Sequence, residues 1–187
     1  MLKRTFDILM VLIAMFLLII PILLVSIAVK LTSKGPVLYW SDRVGIHNNI
    51  FSMPKFRSMK IDTPEIASHL LVDPKSVLTP VGDFIRKTSL DELPQLWCII
   101  KGDMSFVGPR PALFNQGDLI ELRTSKGVHY HTPGLTGWAQ VNGRDELPIP
   151  RKVELDVEYI ARKSFLFDMK IIYLTFLRVI KSNGVSH

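Results

Sequence analysis

Residues 7–30 read "DILMVLIAMFLLIIPILLVSIAVK", and how this stretch meets a membrane decides the architecture of everything after it. Its 22 residues from position 8 to position 29 carry no charge, and a spanning helix needs about 20 apolar residues. Basic residues flank both ends, Lys3 and Arg4 before, Lys30 and Lys34 after. The usual excess of Lys and Arg on one side is therefore missing, and charge gives no orientation. Pro21 lies past the middle, where it removes a backbone donor and crowds the preceding turn. Ser26 can offer its hydroxyl to a carbonyl freed in this way. Two anchors remain open on this pattern: a proline-kinked helix that crosses, or a helix that breaks at Pro21 and returns. A cleavable leader is not expected, because its apolar core would have roughly 7–15 residues and a small-residue cleavage site would follow.

Outside the anchor the 187-residue chain mixes charge, proline and apolar runs, as a single globular domain does. The expected division is an anchor over residues 1–34 and a catalytic domain with membrane-interface helices over residues 35–187. Hydrophobic residues make up 48% of the chain and mean hydropathy is +0.25; the first 31 residues supply much of that excess. A net charge of +6 suits a partner that carries phosphate: nucleic acid, an anionic membrane or a phosphorylated small molecule. The basic segments lack interleaved aromatic residues for base stacking, which argues against nucleic acid. The single cysteine, Cys98, rules out an internal disulfide.

Along the domain, "VLYWSDRVGI" (37–46) and "IFSMPKFRSM" (50–59) predict a hairpin turning at His47, Asn48 and Asn49. Residues 60–77 read as a surface excursion. Thr79 and Pro80 predict a helix start, with the threonine as N-cap and the proline in the first turn, leading into "VGDFIRK" (81–87). "SLDELPQLWCIIKGD" (89–103) predicts a second helix with Leu93, Leu96, Trp97 and Ile100 on its apolar face and Gly102 at its end. Proline- and glycine-rich segments follow, then two further helices in "RKVELDVEYIARK" (151–163) and "FDMKIIYLTFLRVIKS" (167–182). The last one groups Met169, Ile172, Tyr173, Phe176, Leu177 and Ile180 on one stripe, which suits either a core or a membrane interface. Its thin polar cover favours the interface.

Chemistry concentrates at Asp91 and Glu92. Ser89 and Glu92 have the spacing of a capping box, the plain structural reading. Against it, Pro94 interrupts the first turn, and Arg86 and Lys87 lie just upstream. A helix N-terminus also favours a carboxylate anion and a nearby phosphate. Such a carboxylate can ligate magnesium or attack phosphorus. The second "DELP", at Asp145, Glu146, Leu147 and Pro148, has no helical pattern behind it and reads as a surface loop. Arg110 stands between Pro109 and Pro111, stiffened as a bidentate phosphate clamp would be. Lys55 and Arg57 alternate onto one face of a strand and either add to that charge or solvate an edge. His129 and His131 lack a third ligand at metal spacing and read as structural. No phosphate-cradling glycine loop or nucleophile elbow occurs.

"KFRSM" (55–59), "SLDELPQLWCIIKGDMSFVGPRP" (89–111) and "PGLTGWAQVNGR" (133–144), in that order after an apolar N-terminal segment, strongly resemble the bacterial sugar transferase family. These are small monotopic phosphoglycosyl transferases of N-glycan and O-antigen assembly, and the resemblance covers essentially the whole chain. It implies an enzyme that moves a sugar-1-phosphate from a UDP-sugar to undecaprenyl phosphate, releasing UMP. It implies Asp91 as nucleophile and magnesium ligand (Mg2+), with Glu92 assisting, and Arg86 and Arg110 in the phosphate site, to which Lys55 adds charge. It also implies an α+β fold: a re-entrant helix broken at Pro21, a mostly helical cytosolic domain, a short β-hairpin and interfacial amphipathic helices. The implied location is the cytoplasmic face of the bacterial inner membrane, where nucleotide sugar and lipid phosphate meet. A membrane-bound phosphohydrolase using the same aspartate and a non-catalytic lipid-binding adaptor are the competing readings. Neither the sugar nor the oligomeric state is legible.

Overall fold

A computed structural model describes residues 2–64, 73, 75–143 and 147–181. The fold is α+β. The anchor forms one helix, α1 (Leu2–Thr32), with Pro21 inside it. Among the described residues it is the one helix long and apolar enough to cross a membrane, with a mean hydropathy of 3.4 over its most apolar window. At about 1.5 Å per residue, 31 residues reach roughly 46 Å, against about 30 Å of bilayer hydrocarbon. Leu9, Leu12, Phe16, Leu17, Ile20 and Leu24 are each more than half exposed on its outer side. Leaving that face in water would cost on the order of 10 kcal/mol. The Ser26 hydroxyl donates to Ile22 O, 2.7 Å away. That carbonyl is not the one Pro21 deprives, which is four residues before the proline at Leu17, so the expected rescue by Ser26 does not occur.

Both ends of α1 sit on the same domain. Near the N-terminus, Val11 and Ala14 pack with Met53, Leu96, Ile99 and Met104. Near the C-terminus, Ile22, Val25 and Val29 pack with Phe56, Ile85, Leu90 and Leu93. The flanking charges take part in this seating. Lys3 Nζ donates to Val107 O at 2.9 Å and to Asp168 Oδ2 at 2.5 Å, and Asp7 Oδ1 accepts from Phe106 N at 3.2 Å. Read from the sequence as topology signals, Lys3 and Arg4 are here bound to protein.

The predicted hairpin forms as β1 (Leu38–Val44) and β2 (Ile50–Phe56), antiparallel, with Leu38 opposite Phe56 and Val44 opposite Ile50. His47 and Asn48 adopt positive φ in the turn, a conformation asparagine tolerates better than most residues. Residues 65–72 and 74 of the predicted excursion lie outside the described residues. The helix expected from Thr79 begins later, as α2 (Gly82–Lys87). Thr79 is buried instead, and its N–H and hydroxyl both donate to Ser58 O. The next predicted helix is split: Leu90–Gln95 is 3-10, and only Leu96–Lys101 is α-helical (α3). Its buried face is Leu96, Cys98 and Ile99, while Trp97, expected inward, is 52% exposed. Gly102 ends it in the left-handed region, φ 97°, as predicted.

The proline- and glycine-rich segments conceal a second sheet, which the sequence reading missed. Strands β3 (Ser105–Val107) and β4 (Gly134–Thr136) pair in parallel. A Cβ on Gly134 would come within 2.0 Å of Gly108 N, so only glycine lets the two backbones approach. Helices α4 (Gly117–Ser125), α5 (Trp138–Val141), α6 (Ile149–Arg162) and α7 (Phe165–Lys181) complete the chain. On α7 the inward residues are Phe167 and Ile171, packed with Val107, Val141 and Tyr159. Tyr173 and Phe176, placed by the sequence pattern on the shared stripe, are each 61% exposed.

Candidate active site

The dyad sits in the first turn of the continuous 90–101 segment. Ser89 precedes it at φ 55°, a left-handed conformation rare outside glycine, and makes no side-chain cap. The capping box is therefore absent. Glu92 turns away from Ser89 and accepts from Arg110 Nη2 at 2.8 Å and from Lys55 Nζ at 3.2 Å. Three remote parts of the chain thus meet: strand β2 supplies Lys55, the 3-10 turn supplies Asp91 and Glu92, and the loop after β3 supplies Arg110. The β1 edge brings that loop in, because Val44 N donates to Ala112 O and Arg43 bridges Leu113. Arg86 stands half-buried in the last turn of α2, and its carbonyl accepts from Ser89 N, so that turn is tied directly to the dyad's segment.

Apolar packing sets the orientation of the dyad. Leu90, Leu93 and Leu96, three residues apart on a 3-10 turn, all face α1 and its neighbours. Asp91 is left 8% exposed at the edge of the cationic group. Burial holds the Lys55 ammonium below the ordinary lysine range, with Arg110 and Arg43 pushing the same way and Glu92 and Asp91 opposing. Asp91 and Glu92 against Lys55, Arg110 and Arg43 leave one positive charge in excess, which suits an incoming phosphate anion.

Among the described residues no group of three or more His, Cys, Asp or Glu side chains could enclose a metal ion. Magnesium does not need one, since it keeps several waters and takes one or two carboxylates plus substrate phosphate oxygens. Asp91, buried on one side and open to the cluster, fits that role. The His129 and Tyr130 rings lie tilted by 39° with centroids 3.9 Å apart, in keeping with a structural role. Asp145 and Glu146 of the second "DELP" lie outside the described residues.

Two assignments change. Arg57 does not share the face of Lys55: β2 ends at Phe56, and the Arg57 guanidinium, almost fully buried, donates to Ser33 O, Ser33 Oγ and Lys34 O. Arg123 and Asp156 were not recognised from sequence at all. Arg123 Nη1 donates to Arg110 O at 2.7 Å, and its Nε and Nη2 grip Asp156 Oδ2 at 2.9 and 2.7 Å. This pair holds the clamp's backbone from behind. A signal existed: Asp156 interrupts the inward stripe of α6 between Val153 and Ile160, and an acid on such a stripe needs a partner.

The family model for bacterial sugar transferases matches residues 1–182. This chain belongs to the bacterial sugar transferase family. The transferase is 41% identical over 186 residues to an uncharacterized sugar transferase, EpsL, of Bacillus subtilis, covering 98% of this chain and 90% of that protein. It is 41% identical over 187 residues to a UDP-glucose:undecaprenyl-phosphate glucose-1-phosphate transferase of Escherichia coli, covering 94% of this chain and 39% of that one. An undecaprenyl-phosphate galactose phosphotransferase of Salmonella typhimurium is 39% identical over 204 residues, with coverages of 98% and 41%. The chain thus spans nearly all of the Bacillus relative and about two fifths of the two longer ones.

Proposed function

We propose that this sugar transferase moves a sugar-1-phosphate from a UDP-sugar to undecaprenyl phosphate at the cytoplasmic face of the inner membrane, with UMP as the other product. The observation that carries the reading is the Lys55–Glu92–Arg110 cluster beside the buried Asp91. Before substrate arrives, Glu92 keeps two cations gathered at one place. A diphosphate then competes for them with more negative charge than one carboxylate offers. Arg110 and Lys55 bind its oxygens, and Arg86 adds a third cation from α2.

The transfer runs in two displacements. An Asp91 carboxylate oxygen attacks the sugar-bearing phosphorus, the bond from that phosphorus to the UMP oxygen breaks, and UMP leaves with the electron pair. An oxygen of undecaprenyl phosphate then attacks the same phosphorus, and the Asp91–phosphorus bond breaks to return the carboxylate. Asp91 needs no deprotonation to act. A magnesium ion held by Asp91 would supply charge neutralisation at the diphosphate. Glu92, paired with both cations, orients them rather than taking a proton.

A re-entrant anchor fits this chemistry. What supports the reading is that the two ends of α1 both seat on the one domain, through Val11 and through Val25 and Val29. Cysteine labelling at Leu2 and at Lys34 should report the same compartment, and opposite compartments would mean a crossing helix. The native Cys98 does not interfere, being fully buried with its thiol pushed up to about 11.

The deciding experiment incubates the full chain with UDP-sugar and magnesium but no acceptor. An intact-mass increase of one phosphosugar is expected, with UMP released, and both disappear in Asp91→Asn. If the wild type forms no adduct and kinetics require both substrates bound together, transfer is direct and Asp91 only binds metal. Hydrolysis at equal rate with and without lipid phosphate would favour the phosphohydrolase reading. Undiminished function in Asp91→Asn would favour the lipid-binding adaptor.

A further inference from the structure

Two arginines far apart in sequence perform the same task in opposite directions. Arg4, at the head of α1, donates through Nη1 to Ile99 O and through Nη2 to Ile100 O at 2.6 Å. Those carbonyls belong to the last turn of α3, the helix that continues the dyad's segment. Arg57, in the domain, donates to Ser33 O at 3.0 Å, to Ser33 Oγ at 2.9 Å and to Lys34 O. Those groups lie just past the end of α1. A cation at a helix C-terminus bonds outward carbonyls and complements the negative end of the macrodipole; Ile99 O already accepts from Gly102 N, so Arg4 adds a second donor there and reaches Ile100 O beside it. The anchor therefore caps the catalytic segment, and the domain caps the anchor.

Between the two caps the anchor and the dyad's segment meet in two apolar clusters. Leu96 and Ile99 meet Val11 and Ala14 on one side of Pro21, and Leu90 and Leu93 meet Ile22, Val25 and Val29 on the other. Lys55, two residues before Arg57, holds Glu92. We infer that Arg4 and Arg57 form a reciprocal pair of helix caps that fixes the depth of Asp91 and Glu92 relative to the anchor, making both arginines positioning residues for the lipid acceptor. This rests on the transfer proposed above. The donor is soluble and reaches the site from water at any depth. The acceptor phosphate sits at a depth set by the bilayer, so only its encounter depends on how the dyad is held against α1.

The test uses the full chain in lipid nanodiscs, comparing wild type with Arg4→Gln, Arg57→Gln and Arg57→Lys. The glutamine variants should raise the apparent KM for undecaprenyl phosphate at least five-fold and lower transfer at least ten-fold. The KM for UDP-sugar should move less than two-fold. Arg57→Lys keeps the charge but cannot reach three acceptors at once, so it should fall between wild type and Arg57→Gln. A spin label at Phe16, 81% exposed on the anchor, should change bilayer depth in Arg57→Gln. Equal losses on the donor and acceptor sides with label depth unchanged would make the arginines mere folding elements and overturn the inference, as would wild-type acceptor kinetics. Absence of transfer by the wild type from any UDP-sugar would instead refute the proposed function, and the label depth would still decide the caps.

Discussion

Replacing Arg123 by leucine should strand the Asp156 carboxylate, which is 1% exposed in the wild type. Two charged hydrogen bonds from Arg123, at 2.9 and 2.7 Å, are its compensation for burial. Removing one partner of a buried pair costs about 3–5 kcal/mol. A domain of this size loses roughly 2–4 °C of Tm per kcal/mol, so melting in detergent should drop by about 10 °C. Burial already raises the Asp156 pKa above the ordinary carboxylate value, and loss of Arg123 should raise it further. The sign follows from proton binding: with a raised folded pKa, the folded state holds the proton more tightly than the unfolded chain does. The penalty should therefore be full only above the raised pKa and shrink as pH falls through it towards the ordinary aspartate range. Arg123→Leu with Asp156→Leu should recover most of the stability, because a buried pair and an apolar replacement are often nearly equivalent. Activity should not recover with it, since Arg110 O has still lost its donor. An unchanged melting temperature in the single variant, or a double variant no more stable than the single, would refute the reasoning.

Arg110→Lys should keep the charge beside Glu92 yet be unable to make a forked contact with the donor's diphosphate, and a charged hydrogen bond is worth about 1.5–3 kcal/mol. The kcat/KM for UMP release should fall at least ten-fold while Tm stays within a few degrees; a wild-type rate would reduce Arg110 to a scaffold residue. For Lys55, burial lowers the pKa, so its ammonium should be lost at a lower pH than an ordinary lysine's, and activity with it on the alkaline side. Lys55→Arg should flatten that alkaline limb in a pH–rate profile, and an unaltered limb would assign it to another group.

The hairpin and the left-handed stop at Gly102 were legible in the sequence because each is local: a few adjacent residues carry the whole signal. The errors came where distant contacts overrode local ones. Thr79 has the chemistry of an N-cap but spends its hydroxyl on Ser58 O, twenty-one residues away. Ser89 and Glu92 have capping-box spacing, but two half-buried cations outcompete one backbone N–H for the glutamate. Alternation placed Arg57 beside Lys55, yet the strand ends between them and the guanidinium follows free carbonyls instead. The parallel β3–β4 pair was hidden because each strand has three residues and is bordered by glycine and proline, which read as loop.

The seating of Lys3 has a consequence for the order of events at birth. Its partners Tyr159 and Asp168 lie 156 and 165 residues further along the chain. At about 5–20 residues per second, the ribosome delivers them on the order of ten seconds or more after the anchor has emerged. During that interval the apolar segment has a bilayer available but no finished socket, and Lys3 is free to answer to lipid headgroups alone. Arg4 meets its α3 carbonyls earlier, and Lys3 completes its contacts only when α6 and α7 bring Tyr159 and Asp168. Lys3 is thus among the first residues made and among the last to be seated, a bolt closed by the finished domain.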